Sequence, residues 1–142
     1  MARKSNKEKP EKREYYKIEG HYEHSGRKLK LTGNITIDNA GNVKGTVLDH
    51  GSEVKEQKLE GRVWGQDNVT KFVFLKYDPE NNIANSLYQL RKDENNRHEG
   101  SYKGKFNVLP RPIDLESISN AQLMRIPEYN AGGNVQLKIE KR

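Results

Sequence analysis

Glycine recurs in this chain behind an apolar and a polar residue: "IEG" at 18–20, "LTG" at 31–33, "VKG" at 43–45, "LEG" at 59–61 and "YKG" at 102–104, with "HEG" at 98–100 a looser copy. The flanking residues alternate apolar and polar with period two, the pattern of half-buried strands. Residues two apart share a face of a strand, so each glycine falls on the apolar side. A glycine there buries no side chain and costs backbone entropy. A flat sheet gains nothing from it. In a tightly coiled sheet the inward side chains crowd one another, and a position without Cβ relieves the crowding. The repeat therefore predicts a curled, closed barrel. The competing reading is a set of bulges in an open sheet or sandwich.

The hairpin "LTGNITIDNAGNVKG" (residues 31–45) sharpens the prediction. Its turn is "NAGN", with Gly41 taking positive φ. If Ile37 faces Val43 across that turn, Ile35 faces Gly45 and Gly33 faces Val47. Large then meets small on the inner face, as the interior of a small barrel requires.

Similar alternation marks the other strands. The first is "YYKIEGHYEH" from Tyr15, the second "KLKLTGNITID" and the third "NVKGTVLD". "KLEGRVW" and "VTKFVFLKY" follow, the latter apolar on both faces over Phe72 to Leu75. In "IANSLYQLRK", Ile83, Leu87 and Leu90 also suit a helix at i, i+4 and i+7, but strand neighbours favour a strand. "HEGSYKGKF" is the next strand. Pro110 and Pro112 then exclude a central strand. "DLESISNAQLM" reads as a short helix capped by Asp114, and "NVQLKIEK" as a last strand. Short turns argue for up-and-down antiparallel order. The fold class is thus all-β: an antiparallel meander barrel of about seven or eight strands over residues 15–109. A disordered basic tail (1–14) precedes it and a loosely docked C-terminal extension (110–142) follows.

The chain is 142 residues long, a one-domain length, and only 32% of it is hydrophobic against 32% charged, so the core is modest. There is no cysteine, which excludes disulfides, thiolate chemistry and cysteine metal sites and agrees with a cytoplasmic home. The start "MARKSNKEKPEKRE" has no apolar segment of a secretory signal. No apolar run is long enough to span a bilayer. The net charge is +6, and residues 1–17 hold seven cations against three acids, or +4 of it, leaving +2 for the rest.

One group of residues carries a family resemblance. Gly20-His21-Tyr22 in the first strand is similar to the Gly-x-Trp that opens avidin-like and lipocalin-like (calycin) barrels. "GNVKGTV" and "LEGRV" resemble the following hairpin arms of avidin-type chains. The resemblance covers residues 15–77 and implies a meander barrel with a cup open at one end, often holding a small apolar or amphipathic ligand. Tyr22 stands where that pattern has tryptophan, His24 where it has a ligand-binding asparagine, and Arg27 where it has serine. The single tryptophan, Trp64, points by parity away from the Leu59/Val63 face. Biotin binding is therefore not carried over.

By parity Ile18, Tyr22, Leu31, Ile35, Val47 and Val63 point inward, with Tyr102 and Phe106. Phe74 and Tyr88 join them if the fifth and sixth strands face the same way. This is an aromatic-lined interior with few charges. It is either a filled core or a ligand cup. As a cup, its lining is Tyr22, Ile35, Val47 and Val63 on one side and Phe74, Tyr88, Tyr102 and Phe106 on the other. No nucleophile elbow, Ser/His/Asp order or phosphate loop is present, so the expectation is a non-enzymatic binding module without a cofactor. His21 and His24 fall on opposite faces and Asp49-His50 reads as a turn, which leaves no convergent metal site. The alternative is a nucleic-acid or protein interaction module. Its basic tail (Arg3, Lys4, Lys7, Lys9, Lys12 and Arg13) would contact polyanions, and Tyr15, Tyr16 and Trp64 would stack. A third possibility is an oligomer in which a partner subunit covers Phe72 to Leu75.

Overall fold

The computed structural model describes residues 13–51, 54–66, 69–80, 82–96, 100–116, 118–119, 122–123, 125–129 and 131–142. Eight strands run in chain order: β1 (Arg13–His24), β2 (Arg27–Asp38), β3 (Asn42–His50), β4 (Val54–Gln66), β5 (Val69–Tyr77), β6 (Ile83–Lys92), β7 (Ser101–Asp114) and β8 (Gly133–Lys141). Each pairs antiparallel with the next, and β8 pairs back onto β1, so the sheet is a closed up-and-down barrel. Residues 83–92 are a strand, not a helix.

The glycine register is as the hairpin predicts: Ile37 pairs with Val43, Ile35 with Gly45 and Gly33 with Val47. A Cβ on Gly33 would stand 2.7 Å from Cα of Val47, and one on Gly104 would stand 2.9 Å from Cα of Leu90. No side chain fits where the neighbouring strand folds in that closely. Absence of a Cβ is what lets the ribbon coil.

The coiling has a measurable stagger. Ladder partners followed once round the barrel from Trp64 pass through Lys71, Arg91 and Lys103, then Gln136, His21, Lys30 and His50. The circuit returns to β4 at Val54, ten residues from its start (64 − 54 = 10). Ten residues of rise is about 33 Å, against about 38 Å for eight inter-strand steps, so the strands tilt by about 40°.

Two apolar clusters flank the sheet. Inside lie Ile18, Leu31, Ile35, Val47, Phe72, Phe74 and their neighbours. Outside lie Val73, Leu75, Ala84 and Leu87, covered by Leu109 and Leu123 with Ile118, Ile126 and Tyr129 packed around them. This explains the two-faced run at Phe72 to Leu75: the phenylalanines enter the barrel, and the chain's own C-terminal segment, rather than a partner subunit, covers the outward pair. Gln89 clamps that segment through both ends of its amide, donating to the Pro127 carbonyl (2.8 Å) and accepting from the Tyr129 N–H (3.1 Å).

Three sequence expectations are corrected at the C-terminal end. Strand β7 runs through Pro110 and Pro112 to Asp114. The prolines fit because the β6 ladder skips from Val108 to Ile113, and β8 pairs only as far as Phe106. The helical residues Gln122 and Leu123 are capped by Ser119, not Asp114. Ser119 Oγ accepts from the Gln122 N–H, and the Gln122 side chain accepts from the Ser119 N–H, a capping box. Finally, β8 is no loosely docked extension. It is a wall of the barrel, which therefore continues past Leu109.

Candidate functional site

At the end of the barrel bounded by the β1–β2, β3–β4 and β5–β6 turns, the apolar interior gives way to a polar cluster. Parity brings it there. Asp49 continues the inward series Val43, Gly45, Val47 along β3, and Lys76 continues Phe72, Phe74 along β5. Tyr22 comes from β1, Tyr88 from β6 and Phe106 from β7. Lys76 is only 5% exposed.

Asp49 Oδ2 accepts from Lys76 Nζ at 2.5 Å and from the Tyr22 hydroxyl at 2.7 Å. Lys76 also donates to the hydroxyl oxygens of Tyr88 (2.6 Å) and Tyr22 (3.2 Å), so its three ammonium protons all have acceptors. The same Nζ lies 4.4 Å from the centroid of the Tyr22 ring and 5.1 Å from that of Tyr88, within cation–π range. Phe106 packs against both tyrosines, at 4.8 and 5.0 Å between centroids. One atom is left over: Asp49 Oδ1 is buried and has no hydrogen-bond partner.

Burial dominates the ionisation of the cluster. It lowers the pKa of Lys76, while the hydrogen bond and charge of Asp49 pull it back up. Burial raises the Tyr22 and Tyr88 hydroxyls, and the nearby Asp49 charge raises them further. The tyrosines are therefore locked as neutral phenols around the ion pair.

A hollow of about 460 Å³ opens at the same end of the barrel, and of the cluster only Phe106 reaches its wall. It is lined by His24, Phe106, Val108 and the glycines at 132 and 133, among others. The His24 and Phe106 rings meet edge to face at 5.3 Å, so Phe106 separates the hollow from the tyrosines.

Of the residues expected to line a cup, Tyr22, Tyr88 and Phe106 come together at this mouth. Ile35, Val47 and Phe74 are buried in the middle of the barrel. Val63 and Tyr102 lie toward the opposite end, around Phe72. The few charges of the interior include the Lys76–Asp49 ion pair, which the sequence reading did not single out. Both stand at apolar-parity positions, and that mismatch was the available signal. Asp49 and His50 end β3 rather than forming a turn. They point opposite ways, His50 Nε2 lying 3.1 Å from Thr32 Oγ1. Of the proposed stacking residues, Tyr16 packs against the inner core, Tyr15 is exposed and Trp64 packs on the outer wall. Arg13 opens β1; Arg3, Lys4, Lys7, Lys9 and Lys12 lie outside the described residues. Comparison of the chain with protein-family models, with curated proteins and with solved structures finds no match.

Proposed function

We propose that this barrel is a non-enzymatic binding module that takes a small amphipathic molecule at the mouth built by Tyr22, Asp49, Lys76, Tyr88 and Phe106. The observation that carries the reading is the orphaned Asp49 Oδ1 of the Lys76 ion pair, at the end of the barrel where Phe106 packs on the cluster and also faces an open hollow. A buried ion pair is a poor stabiliser compared with apolar packing of the same volume. A few oriented polar groups in an aromatic surround are, however, what a small-molecule site uses to fix a ligand's head. A ligand N–H or O–H reaching Oδ1 would complete the network, with the apolar part of the ligand against Phe106 and His24. The up-and-down order of eight antiparallel strands supports the likeness to calycin-type barrels, whose cups open at one end.

Native mass spectrometry of the purified protein, with solvent extraction of bound lipophiles, tests the proposal. A thermal-shift panel of amphipathic alcohols, amides and amines complements it. A ligand at about 100 times its Kd stabilises by about 2.7 kcal/mol, which is several degrees for a domain of this size. The shift should vanish in Phe106→Ala. An empty protein that no panel member stabilises would rule the mouth out as a ligand site.

A further inference from the structure

The stagger circuit described above also runs along the outside of the barrel. Trp64 is the cross-strand partner of Lys71, Lys71 of Arg91, and Arg91 of Lys103. Gln136, His21 and Lys30 continue it across β8, β1 and β2. No acidic residue stands in this row. Its successive members are about 4.8 Å apart, so the stripe from Trp64 to Lys30 is about 29 Å long.

Two depressions mark its course. A groove of about 640 Å³ runs over β6, β7, β8 and β1, and Lys28 and Lys105 join Arg91 and Lys103 along it. A smaller hollow of about 250 Å³ lies beside Trp64, between Lys71, Arg91 and Glu128. The charge is concentrated here. Lys28, Lys30, Lys71, Arg91, Lys103 and Lys105 face Glu23, Asp93 and Glu128, which is six minus three, or +3. Residues 18–142 sum to +2, so the remainder of that stretch is net −1.

The most telling contact is at Glu128. Arg91 grips its carboxylate with both oxygens at 2.5 Å from Nη2, and Lys71 Nζ stands 4.0 Å away. Two cations from adjacent strands thus already converge on one anion, beside an indole and a hollow. From this we infer that the outer stripe is a binding site for single-stranded nucleic acid. The backbone phosphates follow the cations, one of them replaces the Glu128 carboxylate between Lys71 and Arg91, and a base enters the hollow against Trp64. Charge complementarity to a linear polyanion and an aromatic platform at the end of a basic track are the two features such sites combine. Glu128 acts as a built-in competitor.

Trp64 is the only tryptophan, so its fluorescence reports occupancy directly. The experiment titrates the full chain with a fluorescein-labelled twelve-nucleotide oligo-dT, reading anisotropy and tryptophan quenching in parallel. Anisotropy should rise and tryptophan emission fall together, with affinity dropping steeply as salt is added. Arg91→Gln combined with Lys103→Gln should weaken binding at least tenfold. Glu128→Gln should tighten it severalfold, a gain that misfolding cannot produce. Glu80→Gln, the same charge change in the β5–β6 turn, should stay within twofold of the parent. The inference is overturned by absence of binding at low salt, by equal tightening in the two glutamate variants, or by a heparin fragment that quenches Trp64 as strongly as oligo-dT. None of these outcomes bears on the mouth, whose ligands are read by thermal shift.

Discussion

Lys76 is the residue on which the interior depends. Its ammonium is surrounded by three oxygens and three aromatic rings, and removing it leaves the largely buried Asp49 carboxylate without its counter-charge. Lys76→Met should therefore cost about 3–5 kcal/mol in urea unfolding, and adding Asp49→Leu should recover most of that loss. The pH dependence separates the partners. Tyr22 and Tyr88 have folded pKa values above the ordinary 10.0, so the stability they carry is present below pH 10 and lost as pH rises beyond it, because the unfolded chain sheds its protons first. Lys76 acts the other way. Its folded pKa lies below 10.5, so between the two values the unfolded chain holds more protons and stability rises with pH. Urea midpoints measured from pH 7 to 12 should show Lys76→Met losing the rise below 10.5. Tyr22→Phe should flatten the fall above pH 10 without abolishing it, since Tyr16, Tyr77 and Tyr102 shift in the same direction.

At the scale of the strands, the inner glycines and the Gln89 clamp do different work. Gly104→Ala puts a methyl against the backbone of β6, at 2.7 Å from the Gln89 carbonyl carbon, and the strand cannot give way without opening the barrel. The expected loss is about 3 kcal/mol or more, at the upper end of overpacking costs. Gly26→Ala is the contrast. It has φ of 74° but nothing within 4 Å, so only the left-handed backbone resists, at about 1–2 kcal/mol. Equilibrium unfolding of the two variants ranks crowding against strain, and a larger loss at Gly26 would refute the coiling argument. Gln89→Ala removes two bonds to the segment at 127–129 while leaving the barrel ladders intact. Amide exchange at Tyr129 should accelerate roughly tenfold, the equivalent of about one hydrogen bond, with the global midpoint little changed.

For the whole molecule, closure is the decisive event. The ladder that closes the barrel joins Tyr16 to Lys141, close to opposite ends of the chain. Without β8, both β1 and β7 present open edges, which invite association with other chains. A chain ending at Tyr129 should lose cooperative unfolding and aggregate at micromolar concentration, as sedimentation would show. Because the closing ladder spans nearly the full sequence, folding of the intact chain should take milliseconds to seconds in stopped-flow refolding.

Which parts were legible in the sequence follows from the reach of each interaction. Period-two alternation and the recurring glycines are local, and they pointed to most of the strands, the inward faces of β1 to β4, the β2–β3 register and the barrel itself. Tyr22 and Phe106 were placed inside by the same parity, whereas Tyr88 was placed there only on condition of how β5 and β6 face, since β5 is apolar on both sides. The pairing of Lys76 with Asp49 was not legible, because the two lie on non-adjacent strands and meet only across the lumen. Pro110 and Pro112 misled because their tolerance depends on where the β6 and β8 ladders lapse, a fact about neighbours. The basic stripe was hidden for the same reason: Lys71, Arg91 and Lys103 lie 12 to 20 residues apart along the chain, and the β5–β6 and β6–β7 registers line them up. A strand's own residues decide which way each side chain points; the registers between strands and the closure of the sheet decide which of them meet.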